Sequence, residues 1–336
     1  MEGRLDLAWL ESPSLAGNPL GDPTRRPVYL YLPPGHRPGL PAVYFLHGFT
    51  GSAHSWVGFQ PFAPTVPDRL DALVASGVVP PVVGVFVDGW TALGGSQWTN
   101  STAIGRYGDY LAGDVVAFVD HRAGTLAAPA ARAVVGKSSG GYGAMAMGRL
   151  HPDVFGHVGS HAGDAGFEYC YLPDFPKAAG PLLGTDPARW LADMRQRARA
   201  TKLRADDHAT LNVLAMAAAY SPHPDPATAP SGSAGFELPF EPETARLRPD
   251  VWARWLACDP VRFVPEGLAA FRRLGSVYLD CGNRDEFNLR WGTRMVADAL
   301  RRGGVEVVHE EFDDGHRDIN YRFDRSLGYL VPRLAR

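Results

Sequence analysis

The chain has 336 residues, of which 45% are hydrophobic and 21% charged, and its 33 Lys and Arg against 36 Asp and Glu leave a formal charge of -3. That near balance, with no run of like charge, excludes a general attraction to nucleic acid or to an anionic membrane, while the length is ample for a large core. Cys170, Cys258 and Cys281 are widely separated and lack C-x-x-C spacing, which suggests neither a disulfide framework nor a zinc site and reads as ordinary buried thiols.

The N-terminus, MEGRLDLAWLESPS, flanks a very short apolar stretch with acids, unlike the basic start of a signal peptide. No stretch approaches the roughly 20 apolar residues that span a bilayer, so the reading is a soluble cytoplasmic protein. Residues 5–10 and 28–32 alternate apolar and polar side chains, as antiparallel edge strands do. Residues 42–46 and 82–87 are nearly continuous apolar runs, the pattern of strands buried on both faces. Helical spacing occupies residues 66–76 between them and returns at 107–121, where Tyr110, Leu111, Val115, Phe118 and Val119 share a face.

The chain then reads VVGKSSGGYGAM from Val134 to Met145, a strand passing into a helix with almost no loop. Gly136, Ser138 and Gly140 fit G-x-S-x-G, the nucleophile elbow, which holds a serine hydroxyl out above a sheet at a strained turn. Gly136-Lys137-Ser138 also ends a phosphate-binding P-loop, but that motif needs a glycine five places earlier, where Ala131 stands. The backbone cradle for phosphates is missing, and the elbow reading is preferred.

A strand near 157–161 continues a β-α-β rhythm, which implies a mostly parallel sheet with helices on both faces. From Asp164 to Gly275 the rhythm breaks into helical pieces and a flexible stretch, SPHPDPATAPSGSAG, at residues 221–235. Strands resume at 276–281 and 305–312, with an amphipathic helix at 289–302 between them and a last helix at 317–330. The expectation is one domain over 1–336, with 164–275 inserted as a lid or cap over the site.

A serine at neutral pH needs a base and a carboxylate that orients it. Eleven histidines compete. His316, in Asp313-Asp314-Gly315-His316 directly after the last strand, stands at the sheet end where the elbow presents Ser138; His309 lies within that strand, and His36, His208 and His223 sit in loop or lid sequence. Asp285 follows the penultimate strand in the order serine, acid, histidine. Asp280 reads as the strand's end and turn cap, Glu286 as a neighbour that serves if the loop rotates, and Asp164 as the principal rival acid. The oxyanion of a tetrahedral intermediate needs two backbone N–H groups. Ser139 supplies one, and Phe49, in the turn Leu46-His47-Gly48-Phe49-Thr50-Gly51, the other.

Together, residues 46–56 (LHGFTGSAHSW), 85–90 (VFVDGW), 107–111 (YGDYL), 136–144 (GKSSGGYGA), 280–287 (DCGNRDEF) and 313–322 (DDGHRDINYR) resemble the esterase D-like branch of the α/β-hydrolases. That branch includes S-formylglutathione hydrolases, feruloyl and other carboxylesterases, enterochelin esterases and mycolyltransferases. The resemblance implies an α/β-hydrolase fold with Ser138 as nucleophile, His316 as base, Asp285 as acid, and the Phe49 and Ser139 amides as oxyanion hole. Lys137 departs from the histidine often found in the elbow, and the 164–275 insertion is longer than in compact members.

The reading is thus a serine carboxylesterase acting on a small-molecule ester, with no metal or organic cofactor, no nucleic-acid or membrane partner, and homo-oligomerisation left open. Trp56, Trp98 and Asp164 are assigned to substrate binding; Phe49 and Trp90 join the aromatics at the mouth, where core packing is the competing role for each. The alternatives are an acyltransferase using the same acyl-enzyme, a peptidase using the same triad, and a catalytically silent binding protein.

Overall fold

Eight short runs, most of them rich in β-branched and aromatic residues, pair into one sheet. They are β1 (Arg4–Glu11), β2 (Arg25–Leu32), β3 (Ala42–Leu46), β4 (Val83–Val87), β5 (Arg132–Lys137), β6 (His157–His161), β7 (Ser276–Gly282) and β8 (Val307–Phe312). In the computed structural model, which describes residues 1–225 and 228–335, the strand order is β1-β2-β4-β3-β5-β6-β7-β8. β2 runs antiparallel to both its neighbours, and every pairing from β4 across to β8 is parallel.

β2 is not the edge strand its alternation suggested. It lies between β1 and β4 with Val28, Leu30 and Tyr31 buried. Tyrosines imitated a polar face: Tyr31 is buried, and its hydroxyl donates to Asp71 at 3.1 Å, so a polar tip is satisfied while the ring packs.

Side chains of successive strand residues point to opposite faces, and this divides the core in two. Val43, Phe45, Phe86, Val135 and Tyr278 pack beneath α1 (Val66–Ala75) and the last helix, α10 (Phe323–Leu330). Tyr44, Leu46, Val85, Val134, Val158 and Val277 pack on the other face, under α2 (Val116–Ala123), α3 (Ser139–Leu150) and α9 (Leu289–Arg302). α10 begins later than expected, because the chain after His316 first turns through Asp318, at φ 56°, and a 3-10 segment at Ile319–Arg322.

Between β6 and β7 the chain forms α4 (Phe175–Leu182), α5 (Pro187–Ala200), α6 (Asp207–Tyr220), α7 (Pro249–Cys258) and α8 (Pro260–Glu266). Both ends of this segment are tied to one carboxylate. Buried Asp259 accepts from the Gly166, Phe167 and Val261 amides at 2.9, 2.7 and 2.9 Å, capping α8 and holding the turn after β6. Of the stretch expected to be flexible, Pro226 and Ala227 lie outside the described residues. The rest is anchored: His223 N–H donates to the Gly235 carbonyl at 2.8 Å, and Ser221 Oγ accepts from Trp255 Nε1 at 2.9 Å. Cys170 and Cys281 are buried as read, whereas Cys258 is only half-buried. Among the described residues, no helix is long and apolar enough to cross a membrane.

β3 and β5 are adjacent in the sheet, yet the chain leaves them in opposite lateral directions, toward β4 and toward β6. Such a switch point opens a crevice at the carboxyl ends of parallel strands. The turn after β3 and the elbow after β5 both lie there.

Candidate active site

The elbow is built by close backbone approach. Ser138 stands at φ 58° and ψ -127°, between the end of β5 and the first residue of α3. A side chain on Gly140 would collide with the Leu46 carbonyl oxygen, and one on Gly136 with the backbone of Gly140. Only glycine permits this strand-to-helix packing, so the G-x-S-x-G letters record a steric requirement. Ser139 opens the helix, where an N–H has no acceptor within the helix and faces whatever lies above the turn.

The turn after β3 is locked by His47. Gly89 N–H donates to His47 Nε2 at 2.9 Å, so the ring is protonated on Nδ1, which donates to the Gly48 carbonyl at 2.9 Å. Burial pushes the imidazole down from its ordinary value, consistent with this neutral tautomer. Thr50 N–H is spent on the Gly94 carbonyl at 2.7 Å, while among the described residues the Phe49 N–H has no hydrogen-bond partner. His47 was thus a missed positioning residue, and its only sequence signal was the His-Gly pair after a buried strand.

His316 and Asp285 meet as the linear order suggested: His316 Nδ1 donates to Asp285 Oδ2 at 2.8 Å, with both side chains buried. Asp285 Oδ1 accepts from the Phe287 and Leu289 amides at 2.9 and 3.3 Å, which fixes the plane of its carboxylate. Glu286 has a different task. Its Oε2 accepts from the His316 backbone N–H at 2.7 Å, anchoring the loop that carries the imidazole, and Phe287 packs edge-on against that ring at 4.9 Å.

Ser138, Ser139, Phe49, His316 and Asp164 all line one cavity of about 570 Å³. In this structure the Ser138 hydroxyl donates to Asp164 Oδ1 at 3.4 Å, not to His316. Asp164 Oδ2 accepts from the hydroxyls of Tyr171 and Ser139 at 2.7 and 3.0 Å and from Gln97 Nε2 at 3.2 Å. Burial pushes the Asp164 carboxyl up, against the pull of those donors and of His316. Tyr171 and Gln97 were not singled out beforehand, because neither carries a motif and they converge on Asp164 only through the fold.

Other walls are mixed. Phe287, Tyr171, His208 and Asn212 line the cavity, the last two from α6, and His208 stands edge-on to Phe49 at 5.7 Å. Lys137 enters it half-buried; burial lowers its ammonium, and Asp318 and Asp285 act against that shift. Trp56 touches the cavity but is buried against Phe45, Phe86 and Phe323. Trp98 is a correction: it does not line the cavity, is 1% exposed, packs on Gly89 and Gly143, and donates its indole N–H to the His47 carbonyl at 3.2 Å. Trp90, 40% exposed, does not line the cavity either.

A second serine–histidine–aspartate chain lies below. Ser326 Oγ is 2.8 Å from His161 Nε2, and His161 Nδ1 is 2.7 Å from Asp280 Oδ1, which also binds Arg322 through Oδ2 at 2.9 Å. All three members are buried and none lines the cavity, so the arrangement is a core network. Asp280, expected to end β7 as a turn cap, is instead inside the strand and holds α10 to the sheet.

Against known proteins, the model of the Esterase family, described as "Putative esterase", matches residues 23–316. The MPT51/MPB51 antigen of Mycobacterium bovis is 33% identical over 128 residues, which are 36% of this chain and 37% of that protein, so the match spans little over a third of the relative's length. A ferulic acid esterase superposes with a TM-score of 0.59 at 18% identity, covering 99% of both chains. An S-formylglutathione hydrolase from Agrobacterium tumefaciens superposes at 0.58 and 16% identity, covering 99% of this chain and 96% of its own. These structures share the α/β-hydrolase fold.

Proposed function

The chain belongs to the Esterase family, and from that membership we propose that it hydrolyses a carboxylic ester through an acyl-enzyme on Ser138. The observation that carries this reading is the His316–Asp285 pair, 2.8 Å apart, opening onto the same cavity as the elbow serine. With Asp285 holding the proton on Nδ1, Nε2 is the free acceptor, and catalytic hydrogen bonds often tighten only once substrate is bound. Ser138 turns from Asp164 to His316, gives up its proton, and attacks the ester carbonyl. The bond from Oγ to the carbonyl carbon forms, and the Phe49 and Ser139 amides hold the oxyanion, each worth roughly 3 to 4 kcal/mol of barrier. His316 then protonates the departing alcohol. A water, deprotonated by the same imidazole, releases the acid and restores Ser138.

The segment 164–275 acts as a cap: α6 brings His208 and Asn212 over the turn after β3, and Tyr171 forms a wall. The test is Ser138→Ala with a small activated ester and a fluorophosphonate probe. Turnover and labelling should both vanish while the thermal melt is retained; wild-type-like hydrolysis by the variant would defeat the proposal.

A further inference from the structure

Asp164 has two oxygens in unequal circumstances. Oδ2 takes three donors, from Tyr171, Ser139 and Gln97, and Gln97 is itself steadied by the Tyr220 hydroxyl at 2.7 Å. Among the described residues Oδ1 has one, the Ser138 hydroxyl, at 3.4 Å, the far limit of a hydrogen bond. No Lys, Arg or His makes an ion pair with this carboxylate among the described residues, and the residue is buried, 6% exposed. An acceptor so placed is expensive to leave without a donor.

The reaction removes the one donor Oδ1 has. When Ser138 acylates, its proton passes to His316 and Oγ becomes an ester oxygen that cannot donate. Oδ1 would then face the acyl group unpaired. A donor on the carbon next to the carbonyl sits three bonds from Oγ, within the shell of space that Oδ1 borders. On the alcohol side the first atom beyond the carbonyl is the ester oxygen, which carries no hydrogen. Oδ1 is freed once Ser138 turns to His316 and stays free through acylation, so a donor offered by the substrate there is held in the transition state and raises kcat/KM, which is where selectivity arises.

Resting on the esterase reading above, we propose that Asp164 Oδ1 recognises the substrate, accepting a hydrogen bond from a hydroxyl or amino group on the α-carbon of the acyl part. The substrate class is therefore a 2-hydroxy- or 2-amino-acyl ester, and Tyr171, Ser139 and Gln97 are the residues that aim the carboxylate.

The experiment compares ethyl propanoate, ethyl lactate, ethyl alaninate and ethyl 2-methoxypropanoate, each chiral ester as both enantiomers, in a pH-indicator assay with wild type, Asp164→Asn and Tyr171→Phe. In wild type, one enantiomer of the lactate or the alaninate should exceed the propanoate in kcat/KM by about 10- to 100-fold, and which of the two does so separates hydroxyl from ammonium recognition. In Asp164→Asn the amide oxygen should keep the three donors of Oδ2, turning the NH2 toward the cavity. The preference should then move to the 2-methoxy ester, which accepts but cannot donate. A wild type that hydrolyses all four within a factor of three overturns the inference without touching the esterase reading, and so does an Asp164→Asn that slows every ester by one common factor. Tyr171→Phe, which keeps the carboxylate, should reduce the preference without reversing it; an unchanged preference removes Tyr171 from the aiming role. No Ser138-dependent hydrolysis of any ester would sink both readings, and it is told apart by fluorophosphonate labelling of Ser138.

Discussion

Replacing Asp285 by Asn tests the geometry at one atom. In the wild type Oδ1 accepts two backbone N–H groups, from Phe287 and Leu289, and Oδ2 faces His316 Nδ1. An asparagine has one oxygen, and the two amides require it at the Oδ1 position, because an NH2 there would oppose both donors. The NH2 is thereby turned toward Nδ1 and donates to it, which drives the imidazole proton to Nε2. On the proposed mechanism His316 can then no longer take the Ser138 proton. Loss of the correct tautomer in such a triad costs about 10⁴-fold, equivalent to roughly 5.5 kcal/mol of transition-state stabilisation. The assay is kcat/KM for p-nitrophenyl acetate, with circular dichroism and a thermal melt to show that the variant is folded. Glu286→Gln is the internal control: an amide oxygen still accepts the His316 N–H, so its loss should stay within about tenfold. An Asp285→Asn enzyme within tenfold of wild type, or a Glu286→Gln loss equal to it, would refute the reasoning.

Gly140→Ala should destabilise the fold by at least about 3 kcal/mol, because the new methyl meets the Leu46 carbonyl and neither backbone can yield; urea denaturation reads this, and a neutral result would remove the steric argument. Glu310 is held down to about 2, first by its Arg325 hydrogen bond and then by Arg322 and Tyr278 acting against burial, so its contribution is full above its unfolded value of 4.5 and is lost as pH falls through about 2. Glu310→Gln should therefore lose about 1 kcal/mol at pH 7, solvent screening the exposed Arg325 partner, and its deficit should shrink toward zero at pH 2 in denaturation curves; a deficit independent of pH contradicts this. Breaking the buried Asp280–Arg322 pair by Arg322→Met should cost about 3 to 5 kcal/mol, since the fully buried Asp280 carboxyl loses its guanidinium partner; a wild-type melting temperature would show the pair to be dispensable. Trp98→Phe should lower the melting temperature through the lost bond to His47 while leaving KM unchanged, and a raised KM would return Trp98 to the substrate site.

What the sequence determined by itself was whatever local chemistry or steric exclusion dictates. The elbow needs glycines where backbones touch, so its letters, with a strand before and a helix after, were legible; a parallel sheet brings the ends of its last two strands to one edge, which made Asp285 and His316 candidates by place. Position favoured Asp285 while leaving Glu286 and Asp164 open as acids, and the actual employment of Asp280 and Glu286 was not legible. Only the tertiary structure decided what depends on contacts between distant segments. Trp98 lies under the site instead of in it, because Gly89 and Gly143, far apart in the chain, make room for its ring. β2 became an interior strand because β4 pairs with it, which no alternation pattern within β2 records. Asp164 could be read as a rival acid or a turn residue, but its unequal oxygens arise from Gln97, Ser139 and Tyr171, three positions that share no motif. A hydrogen bond has direction as well as reach, and direction is set by the packed elements on either side of it.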